Sequence, residues 1–162
     1  MNKIYILLGS NMGNSKKKLL EAQKHIQKKI GPILRKSTLY ETVAWGNTNQ
    51  ADFLNQIIIV VSKFSAEEIL KNILNIEHAM GRIRTLKNAP RLIDIDILFF
   101  NKEIIQKENL TVPHPAIQNR RFVLVPLNEL SPNFVHPLLH KTIHQLLLVC
   151  PDKLAVKKIY LT

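Results

Sequence analysis

Residues 87–100 read Lys-Asn-Ala-Pro-Arg-Leu-Ile-Asp-Ile-Asp-Ile-Leu-Phe-Phe. From Ile93 onward apolar residues alternate with Asp94 and Asp96, which is the period of a β-strand. Side chains two residues apart on a strand share a face, so the two carboxylates point the same way, roughly 6–7 Å apart. Asp is depleted in strands, and a charge near a core is costly without compensation. The stretch therefore predicts a strand that carries a compensated acidic pair.

The expected compensation is a hard divalent cation, because Mg²⁺ takes one or two carboxylates together with substrate phosphates. A pair at this spacing could hold two ions about 3.5–4 Å apart, the arrangement that clamps a phosphoryl group in transfer. Arg82, Arg84 and Arg91 lie upstream and supply guanidinium groups suited to phosphate oxygens. The alternative for an isolated Asp-x-Asp is an edge strand with two solvated carboxylates.

The composition is that of a globular protein, and a chain of 162 residues fits one domain over 1–162. Only five apolar residues, Ile4 to Leu8, precede Gly9, which is too short for a signal-peptide core or a membrane span. The single cysteine, Cys150, excludes an internal disulfide and suits a reducing cytosol. We therefore expect a cytoplasmic protein that does not act at a membrane.

The net charge of +11 raises the local concentration of polyanions around the chain. Nucleic acid, an anionic membrane and a nucleotide would all be attracted. Much of the excess lies on one predicted helix, at Lys16, Lys17, Lys18, Lys24, Lys28 and Lys29, where a solvated face is the simplest explanation. The charge alone does not select the partner.

The order of the predicted elements is β-α-β-β-α-β, which is the ferredoxin-like split βαβ pattern. An α+β fold with a mostly antiparallel sheet and a C-terminal extension follows from it. The elements are a strand at 4–8, a helix N-capped by Ser15 and ended by Gly31-Pro32, strands at 33–42 and 53–62, a helix with a Ser65/Glu68 capping box ended by Gly81, and the Asp-bearing strand.

The extension is expected to hold short elements, of which one is open by pattern alone. Residues 119–127 are compatible with either a strand or a helix. The others are a short strand at 103–106, a proline-fixed turn at 111–115, a helix at 142–149 and a strand at 156–160.

Several side chains outside the acidic pair have two interpretations. His136, His140 and His144 are spaced as zinc ligands on a helix would be, but Pro137 and the lack of a Glu-containing zinc motif favour surface or partly buried histidines. Phe53 and Phe122 are either core residues or a stacking pair for a flat heterocycle, whose amide-like edge Asn55 could read. Glu77 is expected to pair with a nearby arginine.

The string Ala-Pro-Arg-x-x-Asp-Ile-Asp-Ile-Leu resembles the signature of the 6-hydroxymethyl-7,8-dihydropterin pyrophosphokinase family. The similarity extends over nearly the whole chain, to about Pro132. Its other elements are Gly9-Ser10-Asn11, Thr42 with Gly46, Asp52-Phe53-Leu54-Asn55, Glu77 with Gly81-Arg82-x-Arg84, Val112-Pro113-His114 and Asn119-Arg120-x-Phe122. The resemblance implies a transferase of folate biosynthesis that moves pyrophosphate from ATP to the pterin hydroxymethyl group and releases AMP. It favours a short helix at 119–127.

The resemblance also implies roles for individual residues. Asp94 and Asp96 look like ligands of two Mg²⁺ ions, and together with Arg82 and Arg91 they form the expected catalytic group. The residues expected to bind ATP are Leu70, Arg82, Arg84, Arg91, Ile97, Thr111, His114 and Arg120. Those expected to bind the pterin are Thr42, Val43, Trp45, Phe53, Asn55 and Phe122. The partners are then small molecules, with no nucleic acid or membrane, and the protein acts as a monomer.

The chain departs from the family pattern at three places. Asn88-Ala89 stand where many members carry Trp-Gly, and we expect Trp45 to replace part of the missing aromatic contact. Phe53 stands where Tyr is frequent, and Asn109 where an Arg can assist with ATP.

Two alternatives come from other classes. An RNA-binding ferredoxin-like module fits the basic charge, but such modules carry aromatic residues in a Lys/Arg-Gly-Phe-type strand motif that this sequence lacks. A metal-dependent nuclease would use the same acidic pair, but it leaves the pterin-type residues unexplained.

Overall fold

The structure is a computed structural model that describes residues 1–42, 52–82 and 92–160. Four of the residues predicted to form the site, Val43, Trp45, Arg84 and Arg91, lie outside these ranges, as does the Asn88-Ala89 departure.

The chain forms an antiparallel sheet with the order β5-β1-β4-β3-β8, in which β2 also pairs with β4. This is the strand order that a βαββαβ ferredoxin-like core produces, so the predicted fold class is confirmed. The strands are β1 (Asn2–Ser10), β2 (Ile33–Lys36), β3 (Leu39–Thr42), β4 (Phe53–Ser62), β5 (Asp94–Phe100) and β8 (Val156–Ile159).

Helices cover both faces of the sheet. On one face lie α1 (Ser15–Lys29) and α2 (Ala66–Ala79), whose buried residues, including Ile26 and Ile73, pack against Ile6 and Ile58 of the central strands. On the other face lie α3 (Arg121–Leu130) and α4 (Ile143–Leu148), and these pack against the odd-numbered residues of β1 and β4. Successive side chains of β1 and β4 point to opposite faces of the sheet, so these two strands contribute to both apolar layers.

The predicted capping box at α2 is present, and a second capping box begins α4. The Ser65 hydroxyl accepts from the Glu68 N–H while the Glu68 carboxylate accepts from the Ser65 N–H, and Thr142 and Gln145 repeat the arrangement at α4. At α1 the N-cap is Asn14 rather than Ser15, because the Asn14 side chain accepts from the Lys17 N–H. The prediction for α1 was therefore wrong by one residue.

The predicted strand at 33–42 is two strands, interrupted at Ser37 and Thr38. The Ser37 N–H donates to the Ile57 carbonyl, and the Ser37 hydroxyl accepts from the Ile57 N–H at 3.0 Å. A side-chain oxygen therefore replaces a backbone carbonyl in the ladder, and the strand changes register there.

The segment after β5 forms a small hairpin of β6 (Ile105–Lys107) and β7 (Leu110–Val112), followed by a cis peptide bond before Pro113. A 3-10 turn at Ile117–Asn119 then leads into α3, so the ambiguous stretch 119–127 is helical from Arg121 onward. None of the helices in the described part of the chain is long and apolar enough to cross a lipid bilayer.

Candidate active site

Asp94 and Asp96 lie at the start of β5, on the edge of the main sheet beside β1. In the antiparallel register Asp94 is opposite Gly9 and Asp96 is opposite Leu7, so both side chains stand on the face that α3 covers further along. Both carboxylates are only half-buried, and the side chain of Asp94 is 22% exposed. The strand is thus an edge strand, as the alternative interpretation had it, but its acids are not simply solvated.

A buried carboxylate fixes this end of the strand. Glu77, 2% exposed on the inner side of α2, accepts from the guanidinium Nη1 of Arg82 and from the backbone N–H of Ile95 at 2.9 Å. The same Nη1 of Arg82 donates to Asp94 Oδ1 at 2.8 Å. Glu77 therefore holds both the arginine and the backbone between the two aspartates, which is the ion pair predicted for it.

The electrostatics of the pair disfavour a second negative charge. Burial raises the pKa of Asp96, and the neighbouring charges of Asp94 and Glu77 raise it further, while Arg82 and Arg120 act in the opposite direction. Arg82 lies at hydrogen-bond distance from both Glu77 and Asp94, and Asp96 adds a third carboxylate to the same cluster. The cluster is one in which an added cation would be favoured.

A cavity of about 210 Å³ opens beside Asp96. Residues from α2, β5 and the segment after β6 line it together, so the fold brings several of the predicted ATP-binding residues to one place. Those residues are Leu70, Ile97, Thr111 and His114. Asn109, the position where an Arg can occur, lines the same cavity.

His114 is held in a defined orientation. Its backbone N–H donates to the Leu98 carbonyl at 3.0 Å, and its imidazole Nδ1 accepts from the Ala116 N–H at 3.1 Å. Burial, followed by the nearby charge of Arg120, lowers the pKa of His114, and Asp94 opposes the shift. A neutral imidazole whose Nδ1 accepts carries its hydrogen on Nε2, so His114 presents one N–H donor away from its own turn.

Three of the residues predicted to read the pterin, Thr42, Phe53 and Asn55, lie together on β3 and β4. Asn55 is buried, and its Nδ2 donates to the Thr42 hydroxyl at 3.2 Å. Phe53 lies two residues earlier on β4, opposite Thr42. Phe122 begins α3, with the Arg120 guanidinium carbon 5.7 Å from its ring centroid. Asn55 and Phe53 thus share the face of the sheet on which the aspartates lie.

Gly9, which belongs to the Gly9-Ser10-Asn11 string of the family pattern, has a place in this site that the sequence did not assign. It lies on β1 directly between Asn55 and Asp94. A Cβ at Gly9 would lie 2.8 Å from Asn55 Oδ1, closer than such atoms approach. The family pattern contains Gly9, but the contact between Gly9 and Asn55 depends on the pairing of β1 with β4, which the sequence does not show.

The described residues hold no group of three or more His, Cys, Asp or Glu side chains that could form a metal site. His136 is instead buried, and its Nδ1 accepts from the N–H groups of Leu138 and Leu139, at 3.1 Å each. The helix begins only at Ile143, so the spacing of His136, His140 and His144 is not that of one helical face.

A family model described as 7,8-dihydro-6-hydroxymethylpterin-pyrophosphokinase (HPPK) matches residues 5–132. The 2-amino-4-hydroxy-6-hydroxymethyldihydropteridine pyrophosphokinase of Aquifex aeolicus is 37% identical over 145 residues, which are 90% of each chain. The corresponding protein of Bacillus subtilis is 40% identical over 132 residues, 80% of this chain and 79% of that one.

Other relatives are much longer than this chain. The folic acid synthesis protein FOL1 of Dictyostelium discoideum is 38% identical over 93% of this chain, which spans 23% of that protein. The crystal structure of Plasmodium falciparum HPPK-DHPS with pterin and p-hydroxybenzoate has the same fold, with a TM-score of 0.72 at 21% identity over 91% of this chain and 42% of that one. The chain therefore belongs to the 7,8-dihydro-6-hydroxymethylpterin-pyrophosphokinase family.

Proposed function

We propose that this protein transfers the pyrophosphate group of ATP to the hydroxymethyl group of 6-hydroxymethyl-7,8-dihydropterin. The hydroxymethyl oxygen bonds to the β-phosphorus, the bond between that phosphorus and the oxygen bridging to the α-phosphorus breaks, and AMP leaves with the bridging oxygen. The hydroxyl proton is released. Family membership favours this reaction over the RNA-binding module and the nuclease.

One observation carries the assignment to residues. Asn55, Gly9 and Asp94 lie side by side on three neighbouring strands, and the cavity lined by Thr111 and His114 opens beside Asp96. A heterocycle read by Asn55 would then extend along the sheet toward the aspartates, while a nucleotide would approach the same carboxylates from the cavity. The acceptor and donor meet at Asp94 and Asp96.

The donor set fits magnesium. Two adjacent carboxylates, one with a raised pKa, form a cluster of hard oxygen ligands whose like charges an ion would compensate. Asp94 and Asp96 would hold two Mg²⁺ ions, which supply charge neutralisation for the phosphates during transfer. Arg82 donates to Asp94 and is itself held by Glu77, so Glu77 positions both groups.

The remaining roles follow from the orientation of each side chain. The Nε2–H of His114 is available to a phosphate oxygen, because Nδ1 is already occupied by Ala116. Arg120, Arg84 and Arg91 add positive charge for the phosphates. Leu70, Ile97 and Thr111 line the cavity for the rest of the nucleotide.

On the pterin side, Phe53 and Phe122 stack on the ring. Asn55 and Thr42 hydrogen-bond its edge, and the family resemblance assigns Val43 and Trp45 to the same substrate. The full chain is further proposed to work as one domain over 1–162, as a cytoplasmic monomer on small molecules, and not on nucleic acid or at a membrane.

Nucleotide product analysis tests the reaction. The protein is incubated with ATP, Mg²⁺ and 6-hydroxymethyl-7,8-dihydropterin, and the nucleotides are separated. Pterin-dependent AMP is expected. ADP would indicate transfer of a single phosphoryl group, and no turnover with the pterin would remove the proposal. Reactions without pterin and with Asp96→Ala are the controls.

A further inference from the structure

A second and larger cavity, of about 620 Å³, lies between α1, the break that separates β2 from β3, and β8. Its volume is within the range of roughly 300–1,000 Å³ that small-molecule sites occupy. It shares no lining residue with the cavity beside Asp96, and none of its lining residues belongs to the proposed reaction site. The cavity is therefore separate from the chemistry described above.

Its side walls are apolar. Leu19 and Leu20 come from α1, and Leu39 and Ile159 come from β3 and β8. Leu20 is 53% exposed, on a helix whose other exposed side chains are mostly lysines. These residues supply a surface for an apolar ligand body.

Its inner end is polar. Gln23 and Gln56 are both buried, and Gln23 Nε2 donates to Gln56 Oε1 at 2.6 Å while Gln56 Nε2 donates to the Ser37 carbonyl at 2.7 Å. Within the described part of the chain, Oε1 of Gln23 accepts no hydrogen bond. The pair thus leaves one amide acceptor toward the cavity.

Its rim is cationic. Lys16, Lys36 and Lys158 line the opening, and none of them has a carboxylate partner among the described residues. Glu129 also lines the cavity, but it already accepts from the Thr38 N–H at 3.0 Å and from the Tyr40 hydroxyl at 2.6 Å. The free charge at the rim is positive, so it complements an anion.

We propose that this cavity is a second ligand site, one that binds a small amphipathic anion. The apolar body packs between Leu19 and Ile159. The carboxylate, sulfonate or phosphate group lies among the rim lysines, and an N–H or O–H of the ligand donates to the Gln23 amide oxygen. The site is distinct from both substrate sites and does not depend on the proposed reaction.

The probe for a test is 8-anilinonaphthalene-1-sulfonate, which has an apolar ring system, one anionic group and an N–H. Its fluorescence is titrated with the native protein, with saturating ATP analogue and pterin present so that the substrate sites are filled. We expect one saturable site. Lys36→Glu/Lys158→Glu should weaken binding about tenfold, because the rim charge is reversed. Lys24→Glu/Lys28→Glu, an equal charge change at exposed positions of α1 outside the cavity, should leave it within about twofold.

Two further measurements keep the result specific. Leu20→Gln replaces an exposed wall residue without changing the charge, and it should weaken probe binding without affecting the melting temperature. The neutral analogue N-phenyl-1-naphthylamine should bind at least about fivefold more weakly than the sulfonate. Absence of saturable binding, displacement of the probe by the substrates, or equal binding by the rim and control variants would each overturn the proposal.

Discussion

The two halves of β5 belong to one strand but have different surroundings, charged at the start and aromatic at the end. At its start, Asp94 and Asp96 gather Glu77 and Arg82 into a cluster of charges beside a cavity. At its end, Phe99 is buried in an aromatic group with ring centroids 5.7 Å from Tyr5, 4.6 Å from Phe134 and 5.5 Å from His136. One strand thus carries a cluster of charged side chains at its start and a buried aromatic cluster at its end.

The difference indicates how the strand supports its acids. The apolar end fixes the strand against α3 and α4, so the charged end can hold like charges close together without having to stabilise the fold. Substitutions at the start should therefore mainly change activity, and substitutions at the end should mainly change stability.

Asp96→Ala should have the largest effect. Loss of this carboxylate removes half of the proposed magnesium ligand set, and we expect turnover to fall by more than about 10³-fold. Since the pKa of Asp96 is raised in the folded state, its removal should not lower the melting temperature. Steady-state kinetics and thermal unfolding are measured together. Glu103→Ala, an exposed acid just after the same strand, is the control. Retention of a tenth of the activity would contradict the two-metal assignment.

Phe99→Ala tests the packed end. Removing a buried aromatic side chain should lower the free energy of unfolding by about 3–5 kcal/mol. Urea denaturation measures the loss, and the folded fraction should keep its specific activity within about threefold.

The matched variant for that test is Tyr5→Phe. It keeps the ring and removes only the 2.6 Å hydrogen bond between the Tyr5 and Ser131 hydroxyls, so it should cost about 1 kcal/mol. A large loss of activity in a folded Phe99→Ala protein would contradict the division of the strand.

Glu77→Gln should lower both stability and activity. The amide can still accept from Ile95, but it cannot balance the Arg82 charge, so we expect the unfolding free energy to fall by about 1–3 kcal/mol and kcat to fall about 10–100-fold. If Glu77 acts by positioning, the KM values of both substrates stay within about threefold. Glu67→Gln, in the exposed first turn of the same helix, is the control. A loss confined to KM would instead show that Glu77 supports substrate binding.

The smallest expected effect is the pH dependence of stability. His114 lies at the cavity beside Asp96, and His136 packs against Phe99 at the other end of β5. The pKa values of His114 and His136 are both lowered, chiefly by burial, so the folded state binds fewer protons than the unfolded state just below the ordinary value of 6.5. Their contribution is complete above that pH and is lost as the pH falls. The two histidines should therefore lower the melting temperature between about pH 7.5 and pH 5.5, whereas Asp96, whose pKa is raised to about 7, acts in the opposite direction over the same range, so the histidine contribution is measured as the difference between each variant and the wild type.

Asn at either position keeps an acceptor near Nδ1 but does not titrate, so each variant should show a smaller drop, and the double variant the smallest. His144→Asn, at an exposed position on α4, is the comparison. An unchanged pH dependence in both single variants would show that other groups determine it.

The sequence predicted the family and most of the fold because the decisive patterns are local. The alternation at the start of β5 and the capping box at Ser65 depend on neighbours within one element, and the structure matches both. The break at Ser37 was missed because it depends on a hydroxyl that reaches Ile57 on another strand. Alternation of side chains cannot reveal such a contact.

The site shows the same division. The placement of Asp94 and Asp96 on one face follows from strand periodicity, whereas the bond from Ile95 to Glu77 requires a helix and a strand to meet. The large cavity beside α1 has no sequence signature, since its lining comes from elements far apart along the chain. The predicted roles of the site residues stay predictions, and four of them, Val43, Trp45, Arg84 and Arg91, also lie outside the described ranges.

The position of Gly9 between Asn55 and Asp94 has a consequence for substrate length. Each step between neighbouring strands is about 4.8 Å, so the sheet sets the residue that reads the ring about 9–10 Å from the first metal ligand. On the proposed assignment, the spacing of the strands sets the length of substrate that fits, and Gly9 lies halfway along it. A pterin whose hydroxyl is carried on a longer arm would still hydrogen-bond Asn55, but its reacting oxygen would extend past the position beside Asp94 at which the phosphate is held.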